Sequence, residues 1–377
     1  MKFFSALLCG LSVLFVEAAA GQPPQQKWVA TWTASPQGPY PTGNAVAQPE
    51  LTFAFPSPQA GADDQTFRLI IRPDLWGDRW RIRLTNLFGT QTVTFDEIYV
   101  GVQATAGNLV AATNRHAMFG GKSSVTIPPG RAMFSDAVDL KLPAGSSTDG
   151  RKLAVSFHIA GQSGPMTWHA KSLQTSYVTR PRTGAHGKEE TDAAFPFTTT
   201  SWYFLDAVDV MAPAGTQVIC ALGDSITDGT ASTINGDDRW PDVFSRRVHA
   251  AYGTGVSVVN GGIGGNRILT PDTYTPAQPF AGGPSALQRL DRDVLGLSGL
   301  SGVIFLEGVN DISSGSPAEA IIAGIRELVA RVRAKGHIKI VGATITSAFK
   351  SNGPGGAPDA TDCCSAWKCE PNDKTSG

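Results

Sequence analysis

Several things are scarce or missing in this chain of 377 residues, and each absence narrows what it can do. Neither sign of charge dominates, with 31 basic against 32 acidic side chains and no basic block, so neither nucleic acid nor an anionic membrane surface is indicated as a partner. Cysteine is sparse at five residues. Cys9 falls in an amino-terminal apolar stretch, and Cys220 lies inside a later apolar run, where a buried thiol is an inert small hydrophobe. Cys363, Cys364 and Cys369 crowd the end without the companion histidine or second pair that zinc needs. No Asn-x-Ser/Thr acceptor occurs, so N-glycosylation is not expected. Beyond the first residues no apolar run is long enough to cross a bilayer. The glycines of 261–265 are not followed by the Lys-Ser/Thr of a phosphate-binding loop, and no Gly-x-Ser-x-Gly surrounds Ser225. No metal or organic cofactor is implied.

What is present begins with a targeting segment. Lys2, an apolar stretch over 3–16 and the small residues Ala18, Ala19 and Ala20 have the order of a signal peptide over 1–20, which predicts a secreted, extracellular protein starting near Gly21. A retained signal anchor is the rival reading. The remaining length suits two domains. Over 27–210 the pattern is β: short alternating runs separated by many of the 42 glycines and 25 prolines. Runs at 28–32, 67–71, 98–102, 124–127, 137–142, 153–159 and 174–178 read as strands. The clearest hairpin pairs 80–85, with Trp80, Ile82 and Leu84 on one face, with 92–95 across a turn at 86–89. With no competing helical period, a two-layer β-sandwich is expected. His116, His158, His169 and His186 fall here and read as ordinary packing or surface residues, although His169, beside Trp168, is placed to reach a ligand.

Pro213 and Gly215 mark a linker over 211–215. From 216 to 349 the period changes to strand and helix in alternation: strands at 218–222, 256–260, 302–306 and 338–343, helices at 239–252, 285–295 and 321–332. That order predicts an α/β domain with a doubly wound parallel sheet and its chemistry at the carboxyl ends of the strands. Three polar blocks fall at those ends: Gly223-Asp224-Ser225-Ile226, then Asn260-Gly261-Gly262-Ile263-Gly264-Gly265-Asn266, then Glu307-Gly308-Val309-Asn310-Asp311. Each alone reads as a turn, a flexible glycine run or a helix cap.

In this order and spacing the blocks resemble the SGNH (GDSL-like) hydrolase family, with Ser225, Gly265 and Asn310 matching its Ser, Gly and Asn and Ile226 standing where the family name has Leu. The amino-terminal region looks like the sandwich of a secreted two-domain branch, through the runs at 32–37, 83–89 and 202–205. The resemblance implies a flavodoxin-like fold and a serine esterase or lipase-type hydrolase acting on carboxylic esters, with acetylated carbohydrate among the substrates. Ser225 would be the nucleophile, and its backbone N–H, the Gly265 N–H and the Asn310 carboxamide the donors to the oxyanion. Asp224 and Asp228 read as turn formers or caps rather than the triad acid.

The family's fourth block, Asp-x-x-His, is not found. His337 stands where a helix hands over to a strand, His249 lies inside a helix, and Asp359 and Asp362 have acid spacing without a histidine. From 350 to 377 the text is an irregular tail, and the expectation is a hydrolase domain lacking its carboxyl-terminal part through splicing or a faulty gene model. Two readings stay open: a small-molecule or carbohydrate esterase, here an incomplete copy without its base, and a non-catalytic carbohydrate-binding or scaffold protein derived from the same family. The sandwich itself reads either as a glycan binder or as one wall of the site. Oligomeric state is not legible.

Overall fold

The computed structural model describes residues 25–45, 51–142 and 145–345. The expected signal peptide over 1–20, the tail over 350–377 and the cysteines at both ends lie outside the described residues.

The amino-terminal region is strand-rich. One five-stranded antiparallel sheet has the order Gln26–Thr33, Leu205–Pro213, Arg79–Thr85, Ala132–Phe134, with Val138–Asp139 also on Arg79–Thr85. The other, of eight strands, is built around Asp63–Ile71, Leu153–Gln162 and Val93–Thr105. Alternation explains the layering. Trp80, Ile82 and Leu84 share one face of their strand and are fully buried, in the same core as Phe67, Phe95 and Phe157 of the other sheet. Phe204 bridges the layers, with its ring 5.4 Å from Phe95 and 6.3 Å from Phe67.

The expected hairpin between 80–85 and 92–95 does not form. Arg79–Thr85 pairs with Leu205–Pro213, Ala132–Phe134 and Val138–Asp139, whereas Val93–Thr105 belongs to the opposite sheet. The turn between them is a crossing from layer to layer. Asn86 pins it by donating from Nδ2 to the carbonyls of Gln91 at 2.8 Å and Ile127 at 2.9 Å. Local alternation cannot distinguish a strand that turns back on its neighbour from one that caps the facing sheet.

The expected linker is shorter than 211–215. Leu205–Pro213 continues through Pro213, paired with Gln26–Thr33, and the next strand, Gln217–Gly223, starts after a tight turn closed by Thr216 N–H on the Pro213 carbonyl. From there the sheet is parallel. Its strands stand in the order Val256–Gly262, Gln217–Gly223, Leu300–Leu306, Lys339–Gly342, that is second, first, third, fourth along the chain. Helices Trp240–Tyr252 and Ala318–Arg333 make crossovers, the first with Pro241 in its first turn, where no N–H is needed. The helix expected over 285–295 is a short one, Ala286–Leu290, continued by a π-helical turn, Asp291–Leu295. No helix among the described residues is long and apolar enough to cross a membrane.

The two regions share one continuous apolar core, running from Val29 and Ala30 of the first strand to Val218, Cys220 and Leu300 of the parallel sheet. Polar bonds fix their alignment. Ser257 Oγ donates to the Ala30 carbonyl at 2.8 Å, and the Asp74 carboxylate accepts from Val258 N–H at 2.6 Å and from Ser245 Oγ, with His249 Nε2 at 3.3 Å. That carboxylate raises the His249 pKa by hydrogen bonding. Replacing Asp74 with Ala leaves the Val258 N–H without an acceptor at the interface, and we expect a loss of about 1–3 kcal/mol in urea unfolding of the full chain. An unchanged midpoint would show that the junction does not depend on this carboxylate.

Candidate active site

Ser225 opens a single helical turn, Ser225–Asp228, at the carboxyl end of Gln217–Gly223. Asp224 caps that turn, accepting from the Ile226 N–H at 3.0 Å through Oδ1. Burial pushes the Asp224 carboxyl up to about 6, against the opposing effect of that bond. Ser225 is half-buried, and neither its hydroxyl nor its N–H is bonded to another described residue. Beside it Ile226 is 43% exposed, an apolar side chain on the rim.

The second block follows Val256–Gly262, and the third follows Leu300–Leu306, where Asn310 lies in the first turn of helix Val309–Ser313. A short path of bonds ties the blocks together. Asp228, in the turn that Ser225 begins, accepts the Gly264 N–H at 2.7 Å. On the other side Asn310 Nδ2 donates to the Asn266 carbonyl at 2.8 Å, while the Asp311 carboxylate accepts from Ile268 N–H at 2.8 Å and Leu269 N–H at 3.1 Å. The loop bearing Gly265 is thus gripped on both flanks, by the turn that Ser225 begins and by the helix that carries Asn310. Gly265 has φ 80°, a conformation that glycine adopts without strain, and its N–H has no partner among the described residues.

Beneath the cluster lies Arg289, which the sequence reading did not single out. It is fully buried and donates from Nε to Asn266 Oδ1 at 2.7 Å, from one terminal nitrogen to the Gly261 carbonyl at 2.6 Å and Ser35 Oγ at 3.1 Å, and from the other to the Gly223 carbonyl at 3.0 Å. One guanidinium therefore joins the first block, the second block and the amino-terminal region. Asn266, also overlooked, spends its own amide hydrogens on the carbonyls of Gly282 at 2.6 Å and Pro284 at 2.7 Å. The one available signal was an asparagine closing a glycine run, since Arg289 stands among Gln288, Asp291, Arg292 and Asp293 and is not set apart by its neighbours.

Side chains of the amino-terminal region bond to the serine turn and the glycine loop. His169 is buried, with Nδ1 2.9 Å from the Ser35 carbonyl and Nε2 3.1 Å from Asp228 Oδ1 and 3.2 Å from the Lys171 carbonyl. Lys171 Nζ bonds Thr230 Oγ1, and Asn44 Nδ2 donates to the Gly264 carbonyl at 2.8 Å. The remaining histidines lie elsewhere: His158 between Asp96 and Asp64, His186 on Glu189, His116 stacked on Tyr99, and His337 bonded to the Lys335 carbonyl. Among the described residues no histidine is bonded to Ser225. Nor are three His, Cys, Asp or Glu side chains grouped there to hold a metal ion. Cys220 is buried under the cluster, its thiol pushed up to about 12 by burial, so it stays protonated and unreactive.

Glu307, at the start of the third block, is fully buried, and neither carboxyl oxygen has a hydrogen-bond partner among the described residues. Burial pushes it up to about 8 from an ordinary 4.5, partly offset by Arg289. Its folded-state affinity for a proton exceeds that of the unfolded chain, so stability should fall as pH rises from about 4.5 to about 8 and then level off. In Glu307→Gln, which cannot ionise, thermal midpoints measured across that window should decline less steeply. Parallel profiles for the two proteins would remove Glu307 as the cause.

Comparison with known proteins places these observations. Residues 221–366 match the GDSL-like Lipase/Acylhydrolase family. No curated protein matches the chain. Among solved structures it is similar to AlinE4, an SGNH-hydrolase family esterase, at 18% identity over 34% of this chain and 60% of that one, TM-score 0.27. It is also similar to a lipase/acylhydrolase from Enterococcus faecalis, at 21% identity over 41% and 68%, TM-score 0.28. A third is a family two carbohydrate esterase from Clostridium thermocellum in complex with cellohexaose, at 12% identity over 78% and 77%, TM-score 0.27. The chain thus spans less than two thirds of the length of AlinE4.

Proposed function

We propose, on the premise that residues 221–366 match the GDSL-like lipases and acylhydrolases, that this chain is a serine ester hydrolase of that type, acting at Ser225. The observation that carries the reading is the pair of bonds, Asp228 to Gly264 and Asn310 to Asn266, that draws the three blocks into one cluster. We further propose that the parallel sheet is the leading part of a doubly wound, flavodoxin-like arrangement, a reading supported by its second-first-third-fourth order. Secretion by way of the 1–20 leader belongs to the same proposal.

In this mechanism the Ser225 hydroxyl oxygen attacks the ester carbonyl carbon. The carbonyl oxygen gains negative charge, and the N–H groups of Ser225 and Gly265 and the second Nδ2 hydrogen of Asn310 donate to it. The bond to the alcohol then breaks, the departing oxygen taking up the proton that Ser225 gave up. Water adds its OH to the acyl carbon and its proton to the serine oxygen, releasing the acid and restoring the Ser225 hydroxyl. The serine proton needs a base, and the Asp-x-x-His block that supplies one in the resemblance is the part not found in this sequence. The alcohol we propose is a hydroxylated one, as on an acetylated carbohydrate, because the exposed side chain beside the serine turn, Thr230, is polar.

The test is hydrolysis of a small activated acetyl ester by the full chain. Ser225→Ala should abolish turnover, and Asn310→Ala should lower kcat by about 10²–10³-fold, or ~3–4 kcal/mol of transition-state stabilisation. Turnover that survives Ser225→Ala rules the reading out. Binding of a glycan with no turnover in any variant replaces it with the non-catalytic alternative.

A further inference from the structure

The loop that presents Gly265 is held from the other half of the chain, by a side chain 220 positions away. Asn44 donates from Nδ2 to the Gly264 carbonyl at 2.8 Å. That bond acts on a whole peptide plane. The cis peptides of the described residues are Gly38-Pro39, Tyr40-Pro41 and Thr270-Pro271, so Gly264-Gly265 is trans. In a trans peptide the C=O and the N–H point in opposite directions from one rigid plane. Fixing the Gly264 oxygen therefore fixes where the Gly265 N–H points.

Such a plane needs fixing. It lies between two glycines, where the backbone has the widest freedom, and residue 265 already occupies the left-handed region at φ 80°. Asn44 is packed directly against it, since a Cβ built on Gly265 would stand 2.3 Å from Asn44 Nδ2. The preceding plane is held separately, through the Gly264 N–H on Asp228 Oδ2 at 2.7 Å. Gly264 is thus anchored at its N–H by the α/β region and at its C=O by the amino-terminal region.

We propose that Asn44 is a positioning residue of the site: by pinning the Gly264 carbonyl it aims the Gly265 N–H at the charge that develops on the acyl oxygen. This rests on the esterase reading of the same cluster. It also gives the amino-terminal region a part in the reaction without contact with the reacting atoms.

The test uses the full chain with Asn44→Asp, which keeps the shape but presents an acceptor to a carbonyl, and Asn44→Ala, which removes both. Asn44 is exposed, so thermal midpoints should stay close to that of the unsubstituted protein. For the acetyl ester, kcat should fall about 10–100-fold in Asn44→Asp with KM within about threefold, as for a donor displaced rather than lost. In 15N-labelled protein the Gly265 amide should shift and lose order in both variants. An unaltered Gly265 amide, or an altered one with unchanged kcat, overturns the proposal; if Ser225→Ala still abolishes hydrolysis, the esterase reading survives that failure. A displaced Gly265 amide in a chain that hydrolyses no ester upholds the pinning by Asn44 and removes the esterase reading.

Discussion

The arrangement of the cluster depends on one buried cation. Arg289 spreads its fork across the Gly223 and Gly261 carbonyls, the Asn266 side chain and the Ser35 hydroxyl. A planar, always charged group with fixed donor directions suits this task as a lysine ammonium could not, because each nitrogen must face a different segment at once. Its neighbouring carboxylate, Asp293, stands 3.7 Å away, so most of its donors are satisfied by neutral oxygens rather than by a tight ion pair. Those carbonyls terminate adjacent strands, and bonding them to one centre sets the height at which the loops after them begin. Glu307 fits the same account: beside a guanidinium already engaged elsewhere, it keeps its proton to about pH 8 and adds no second charge to the floor.

Above that floor the site is divided between the two regions of the chain. The α/β region supplies Ser225, Gly265 and Asn310, while Asn44, His169 and Lys171 come from residues that precede it and rest against the same glycine loop and the same helical turn. Shared apolar packing makes that support rigid, since Val29 and Ala30 lie in one core with Val218 and Cys220.

The sequence was most readable where the physics is local. An apolar run bounded by glycine became the strand Gln217–Gly223, the helical period became Ala318–Arg333, and Asp224, read as a cap, caps the serine turn. It was least readable where partners are remote. The 80–85 and 92–95 runs alternate as a hairpin does, yet they lie in opposite layers because Leu205–Pro213 reaches the first from far along the chain. Arg289 looked like any charged residue on a short helix, and nothing in its neighbourhood announces that Gly223, Gly261 and Ser35 converge on it. Asn44 stands in a loop with no periodicity at all, and only folding brings it to Gly264. Met211 and its neighbours read as a linker because Pro213 and Gly215 follow them, whereas the strand they finish is identified by its pairing with Gln26–Thr33.

The brevity of the true connection has a mechanical consequence. Between Pro213 and Gln217 only residues 214–216 are free of strand, and three residues reach about 10 Å at full stretch. They are not stretched, being folded into a turn. Together with the core that Val29 and Ala30 share with Val218 and Cys220, so short a tether keeps the two regions face to face. Ile226, 43% exposed beside Ser225, is then a fixed apolar side chain in the path of whatever reaches the serine.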